Sequence, residues 1–411
     1  MRKQYVLITI LALVAQFAQA QFTLDGEFRP RSEYFGNGGN FTGGTFPAQT
    51  ATDADEGFIR TSVRAAIKAK YVAETYTVFT SFQEVFVFGD RPQIATAGNG
   101  NFRVQEAWAD LKLGASSTLK LGRQPLSYDD QRILGGLGWA QQARTHDAAV
   151  YKYKKNKFSL DIGGALNTTV DEVYNTSALF SYRDMVFVRA NSKGEKFNIS
   201  FLGLVNTFQD SNVDGSNKSS LLTAGLHAGY KAGALGLSSN LFIQEGERIG
   251  GADVKGALLY SLDATFKASD KITILAGYES ISGRKDDSAA FFPLYGTNHK
   301  FNGLIDRFYV GNHGNAGGLN DLNFGAKFGL GKGSALTAKF HTFKEESLDK
   351  DNLGSEIDLV LAKKFKEFTL VGGYSHFFEP SEVADLPGVK DTQNWAWAML
   401  VIQPKFLNTA K

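Results

Sequence analysis

From Phe22 onward the chain alternates hydrophobic and polar residues with a period of two. In the first segment Phe22, Leu24, Gly26 and Phe28 share one face, while Thr23, Asp25, Glu27, Arg29 and Arg31 share the other. In the second, Val63, Ala65, Ile67, Ala69 and Tyr71 stand opposite Arg60, Ser62, Arg64, Lys68 and Lys70. Successive side chains of an extended strand point to opposite faces, so each segment reads as a strand with one apolar and one charged side. The pattern predicts eighteen strands, roughly 22–34, 57–71, 75–88, 101–113, 117–126, 145–154, 157–167, 178–191, 196–208, 220–231, 234–245, 255–267, 271–282, 320–330, 334–345, 354–365, 367–378 and 392–406.

The connections alternate in length. Those after odd strands are long, such as 35–56, 127–144 and 283–319, whereas short turns such as Val72-Ala73-Glu74, Lys155-Asn156, Ala232-Gly233 and Gly331-Lys332-Gly333 follow even strands. This predicts an all-β fold: a transmembrane antiparallel β-barrel of about 18 strands, with short periplasmic turns and long extracellular loops. An even count returns both termini to the periplasmic side. A soluble sandwich or propeller also alternates, but it buries its apolar face and does not pair short with long connections systematically. In the barrel the polar face lines a water-filled lumen and the apolar face meets lipid. Aromatic residues recur near strand ends, at Tyr34, Phe35, Phe86, Phe88, Tyr151, Tyr153, Tyr230, Tyr278, Tyr374, Trp395 and Trp397, as two interfacial girdles require.

The first twenty residues lie outside this pattern. Arg2 and Lys3, an apolar run from Tyr5 to about Phe17, and Ala18-Gln19-Ala20 read as a secretory signal peptide cleaved after Ala20. The run is shorter than the ~20 residues that a spanning helix needs. Residues 21–411 contain no Pro/Ser-rich linker, and Gly, Phe and Tyr are spread throughout, so they read as a single domain.

Composition mainly excludes. Removing the leader takes away two of the 44 basic residues and none of the 42 acidic ones, leaving 42 of each and no basic bias toward nucleic acid. Absence of cysteine excludes disulfides, thiolate metal sites and a cysteine nucleophile. The closing segment WAWAMLVIQPKF ends on Phe406 and resembles the terminal strands read by the outer-membrane insertion machinery.

Parity assigns Arg29, Arg31, Arg60, Arg64, Lys68, Lys70, Arg103, Lys112, Lys120, Lys152, Lys154, Arg183, Arg189, Lys231, Lys267, Lys327 and Lys339 to the lumen. The acidic set is smaller: Asp25, Glu27, Glu106, Asp110, Asp161, Asp263, Glu279, Glu356 and Asp358. Wall pairs such as Glu27 with Arg60 or Arg64 absorb part of the basic excess, and the remainder favours passage of anions. Between Leu119 and Tyr153 lies a long connection rich in Gly, Gln, Arg and Asp. It carries Asp129, Asp130, Arg132, Gln142 and Arg144, and a loop so dense in charges and amides can fold into the lumen as a constriction. Parity puts Arg123 on the lipid side, so either a bulge before Pro125 returns it to the lumen, which is the preferred expectation, or Arg123 lies at the outer rim.

The stretch GRQPLSYDDQRILGGLGWAQQARTHDA, Gly122 to Ala148, resembles the signature of the alginate-export family of outer-membrane proteins, particularly its Bacteroidetes-like members. The resemblance implies an 18-stranded barrel whose arginine-lined, loop-narrowed lumen passes an anionic polysaccharide passively, with Arg123, Arg132 and Arg144 at the constriction.

Enzymatic chemistry finds little support. Asp129 and Asp130 are adjacent and point apart in an extended chain, His146-Asp147 lacks a nucleophile, the six His show no metal spacing, and Gly135-Gly136-Leu137-Gly138 precedes no helix. The expectation is therefore a monomeric, cofactor-free channel for small anionic solutes or polysaccharide. The alternative is a receptor or adhesin with a plugged lumen, whose binding segment is 283–319 with Phe291, Phe292, Tyr295, His299 and His313.

Overall fold

Period-two alternation becomes structure because each strand satisfies its backbone only by pairing, and a ring of such strands leaves no edge. A computed structural model describes residues 21–36, 57–89, 102–167, 182–209, 218–248, 251–308, 317–347, 352–380 and 392–409. The signal segment and His313 lie outside the described residues, as do positions 178–181 at the predicted start of the eighth strand.

The strands are β1 (Gln21–Gly36), β2 (Phe58–Val72), β3 (Tyr76–Val87), β4 (Arg103–Lys112), β5 (Ser117–Gln124), β6 (His146–Lys155), β7 (Phe158–Leu166), β8 (Asp184–Lys193), β9 (Phe197–Gln209), β10 (Lys218–Ala232), β11 (Leu235–Glu247), β12 (Asp253–Lys267), β13 (Ile272–Ser282), β14 (Gly318–Gly331), β15 (Ser334–Lys344), β16 (Asn352–Lys364), β17 (Phe368–Phe378), β18 (Thr392–Ile402) and β19 (Lys405–Asn408). Each pairs antiparallel with its sequence neighbour, and β1 closes the ring against β18 and β19. β19 continues β18 past Gln403-Pro404, where proline has no N–H for the ladder, so the ring has eighteen positions. Both described ends meet at the short-turn rim, where Thr23 pairs with Asn408.

The apolar face is outside. Phe201, Leu226, Leu241 and Tyr260 are cross-strand neighbours on β9 to β12 and are 42%, 45%, 53% and 45% exposed. A contiguous apolar band of this kind is a lipid-facing surface. Among the described residues no helix is long and apolar enough to cross a membrane. Outward rings pair at the short-turn rim, Tyr71 with Tyr76 and Phe197 with Tyr230, at centroid distances of 6.1 and 4.7 Å. Near the opposite rim Tyr260 and Tyr278 stand 6.1 Å apart.

Two readings of parity need correction. Trp395, Trp397 and Phe35 belong to no girdle: they lie on the inward parity of β18 and β1 and are buried. Arg123 stays on the outward face, because β5 keeps its register with β6 to the end. It faces Asp147 across the ladder and grips it with two bonds of 2.7 and 2.9 Å. The partner carboxylate removes the need for a bulge, so Arg123 lines no constriction. Gly122 before it adopts φ 115°, and a Cβ there would stand 2.2 Å from the Ala107 carbonyl.

Candidate functional site

Two connections turn into the lumen from the long-loop rim. Residues 125–145 join β5 to β6, and residues 283–308 lead from β13 toward β14. Inside the barrel they pair with each other. Leu134 and Tyr295 form a parallel bridge, Gly135 N–H donates to Tyr295 O at 2.8 Å, and Thr297 N–H donates to Gln131 O at 2.9 Å. Irregular backbone inside a barrel is satisfied by protein or by lumen water, and here the two loops supply part of each other's hydrogen bonds.

The first loop is strained and heavily tied down. Asp129, Gln131, Leu137 and Ala143 adopt left-handed φ of 53°, 71°, 49° and 55°. Such residues cost about 1–3 kcal/mol each and persist only when surrounding contacts over-determine them. On one side Asp129 accepts from Arg189 and Ser200, both at 2.6 Å, and Asp130 accepts from Asn240 at 2.7 Å. On the other, a row of carbonyls meets arginines of β1, β2 and β4. Arg29 donates to Gly138 O at 2.8 Å and Ala140 O at 3.1 Å, and Arg31 donates to Trp139 O at 3.0 Å. Arg64 donates to the carbonyls of Ala140 and Gln141, and Arg103 to that of Gln142. The wall of β8 to β11 lies across an eighteen-strand ring from that of β1 to β4, so the loop crosses the lumen.

This revises the reading of the arginines. Arg29, Arg31 and Arg64 face inward as parity requires, yet their guanidinium groups hold the loop instead of lining a water-filled path, and Arg31 is only 1% exposed. A planar fork of donors matches a row of carbonyls, and that match explains why arginine stands there. Glu27 completes the cluster with Arg64 at 3.2 Å and Lys68 at 2.5 Å, so the expected wall pair with Arg64 forms. Arg60 lies 5.9 Å from the Phe35 ring, and Arg183 pairs with its neighbour Asp184 at 2.6 Å beside the long-loop rim. Gln142 contributes its carbonyl, which also accepts from Gln83 at 3.1 Å.

Arg132 latches the two loops to the wall. Its Nε and Nη2 bond Glu279 on β13 at 2.8 and 2.6 Å, while Nη1 bonds Asn298 at 2.7 Å and Nη2 bonds Asn302 at 3.1 Å. Asn302 reaches on to Asp321, which bonds His341 at 2.9 Å. The N–H groups of Ile305 and Leu304 donate to Glu356 and Asp358. Arg144 ties the loops again, donating to Gly296 O at 3.1 Å. Sequence reasoning placed Glu279, Glu356 and Asp358 in the wall but missed Asp321, His341, Asn298 and Asn302. The inward polar positions of β14 and β15 carried the signal for the first two.

Side-chain packing adds to these hydrogen bonds at the same height. Trp139 stacks on His299 at 4.5 Å, meets Trp397 edge-on at 4.7 Å and lies under Arg31 at 4.4 Å. Leu134, Phe291, Phe292 and Tyr295 fill the other side against inward Val150, Phe187, Leu204 and Leu259. Burial pushes the phenols of Tyr128 and Tyr182 well above the ordinary range, with Asp161 adding to the first and Asp147 to the second. Toward the short-turn rim the wall changes character. Lys70, Lys154, Lys193, Lys231 and Lys327 stand at inward positions, are exposed, and make no ion pair among the described residues.

No family model matches the chain, and no curated protein matches it in sequence. Solved structures do match. The outer membrane protein OpdK from Pseudomonas aeruginosa superposes with a TM-score of 0.65 at 11% identity, over 94% of this chain and 99% of that one. OpdK with vanillate gives 0.63 at 12%, over 93% and 99%. Acinetobacter baumannii OccAB4 gives 0.63 at 11%, over 93% and 98%. At such identities the likeness establishes the fold alone: a closed outer-membrane β-barrel.

Proposed function

We propose that this chain is a monomeric, passive channel of the bacterial outer membrane for small anionic solutes, with the two inserted loops as its constriction and the short-turn rim in the periplasm. On this reading residues 1–20 are a signal peptide removed after Ala20, and the strand ending at Phe406 is read by the insertion machinery. The observation that carries it is the division of labour among cations. Buried arginines hold the constriction, while exposed lysines such as Lys70, Lys231 and Lys327, without an ion pair among the described residues, line the wider mouth and raise the local anion concentration. The alginate-like motif suggests an anionic polysaccharide instead, but a lumen crossed by two anchored loops favours small solutes.

The test is a planar-bilayer reversal potential across a potassium chloride gradient. Anion preference is expected, and Lys70, Lys231 and Lys327 changed together to Glu are expected to reverse it. A cation-preferring wild type refutes the proposal. A second reading, a surface receptor with a plugged lumen, draws on the dry packing of Phe291, Phe292 and Tyr295. It predicts no conductance from wild-type protein and channel activity only after residues 284–308 are deleted.

A further inference from the structure

A hollow in the lumen wall at the short-turn mouth has no part in holding the loops. Its volume is about 390 Å³, and it lies among the ends of β8 to β12. The strand register explains it. Lys193, Asn198, Gly229, Ser238 and Asp263 are successive cross-strand partners from β8 to β12, all with inward parity. One row nearer the rim, Lys231, Gly236 and Thr265 are partners in the same way. Gly229 and Gly236 therefore stand diagonally adjacent: the wall is open over Gly229, while the Thr265 hydroxyl takes the place of a side chain over Gly236.

The chemistry around the hollow is graded. Lys193 and Lys231 stand on the β8 and β10 side, exposed and without an ion pair among the described residues, and the turn between β8 and β9 adds Lys196 and one opposing charge, Glu195. Ser238, Asp263 and Thr265 stand on the β11 and β12 side, with Asn198 behind the lysines. Neighbouring strands are about 4.8 Å apart, so Lys231 and Asp263, two strands apart, are separated by roughly 10 Å at the backbone. Lysines attract a carboxylate as point charges. A carboxylate such as Asp263 accepts hydrogen bonds from hydroxyl groups, and the Ser238 and Thr265 hydroxyls beside it can both donate and accept.

We infer that this hollow is a solute-binding subsite at the short-turn mouth, selective for a small hydroxylated carboxylate of sugar-acid size. Its acid group meets Lys193 and Lys231, and its hydroxyl chain lies over Gly229 toward Ser238, Asp263 and the Thr265 hydroxyl. The inference rests on the anion-channel reading and names a solute class for it.

Calorimetric titration of the detergent-solubilised full chain with gluconate tests it, with sorbitol and hexanoate as comparators lacking the carboxylate and the hydroxyls. A Cβ at Gly229 meets nothing nearer than 3.8 Å, so Gly229→Leu fills the hollow without a backbone clash, and heat-modified gel migration verifies that it folds. Gluconate is expected to bind more tightly than either comparator, and Gly229→Leu to weaken it at least tenfold. Asp263→Asn is expected to weaken gluconate while leaving hexanoate unchanged. Gluconate affinity unaltered in Gly229→Leu, or hexanoate equal to gluconate in the wild type, overturns the subsite. The two proposals fail separately: a cation-preferring wild type sinks the parent reading, whereas an anion-preferring wild type whose gluconate binding ignores Gly229→Leu sinks the subsite alone.

Discussion

Replacing Arg132 by alanine removes the group that joins both inserted loops to β13. The side chain is 2% exposed and donates to Glu279 twice, to Asn298 and to Asn302. Its loss leaves the Glu279 carboxylate buried beside Asp321 with no guanidinium. Breaking a buried pair by deleting one partner costs about 3–5 kcal/mol. Docked and released loops differ by that interaction, so the released population rises by roughly two to three and a half powers of ten, at about 1.4 kcal/mol per tenfold. The assay is single-channel recording, paired with protease access to residues 283–308 on intact cells. Larger, noisier conductance and new cleavage are expected in Arg132→Ala. Arg132→Met combined with Glu279→Met removes both charges, and it is expected to recover most of the stability lost by the single variant. Conductance and protease protection identical to wild type in Arg132→Ala would refute the idea that this latch holds the constriction.

Further outcomes follow from the same geometry. Arg123→Ala should leave the reversal potential unaltered and cost less than about 1 kcal/mol by thermal melting, because Arg123 and Asp147 pair at the long-loop ends of β5 and β6, half-exposed and away from the lumen. Trp139→Ala opens a void beside His299, Trp397 and Arg31 and should destabilise the barrel by about 2–3 kcal/mol, less than a fully buried tryptophan because the ring is only partly buried, read as a lower temperature of heat-modified gel migration. Tyr128 and Tyr182 are held neutral by burial, so their folded pKa lies above the unfolded value of about 10. Their contribution to stability is complete below that pH and is lost as pH rises beyond it, since the unfolded chain then releases protons that the native state retains. Ultraviolet titration should show phenols that ionise only together with alkaline unfolding, and Tyr182→Phe should shift that unfolding midpoint.

Much of the barrel was written locally. Alternation at positions such as Phe22 to Arg31 and Val63 to Lys70 sets the strand, its lipid face and its lumen face, because the two-residue period depends only on neighbours in the chain. Short turns such as Asn156-Lys157 and Lys332-Gly333 fix antiparallel order, and the order of strands then closes the ring. What parity leaves open is the company an inward side chain keeps. Arg29, Arg31 and Arg64 carry the same signal whether they meet water or the carbonyls of Gly138, Trp139 and Ala140, which lie more than a hundred residues away from the first two. Likewise Arg132 and Glu279 stand 147 positions apart, and only the inward fold of both loops brings them to 2.6 Å. Local periodicity therefore determined the wall, and tertiary structure alone decided which charges fill the lumen and which still face its water, since desolvation depends on everything packed around a group.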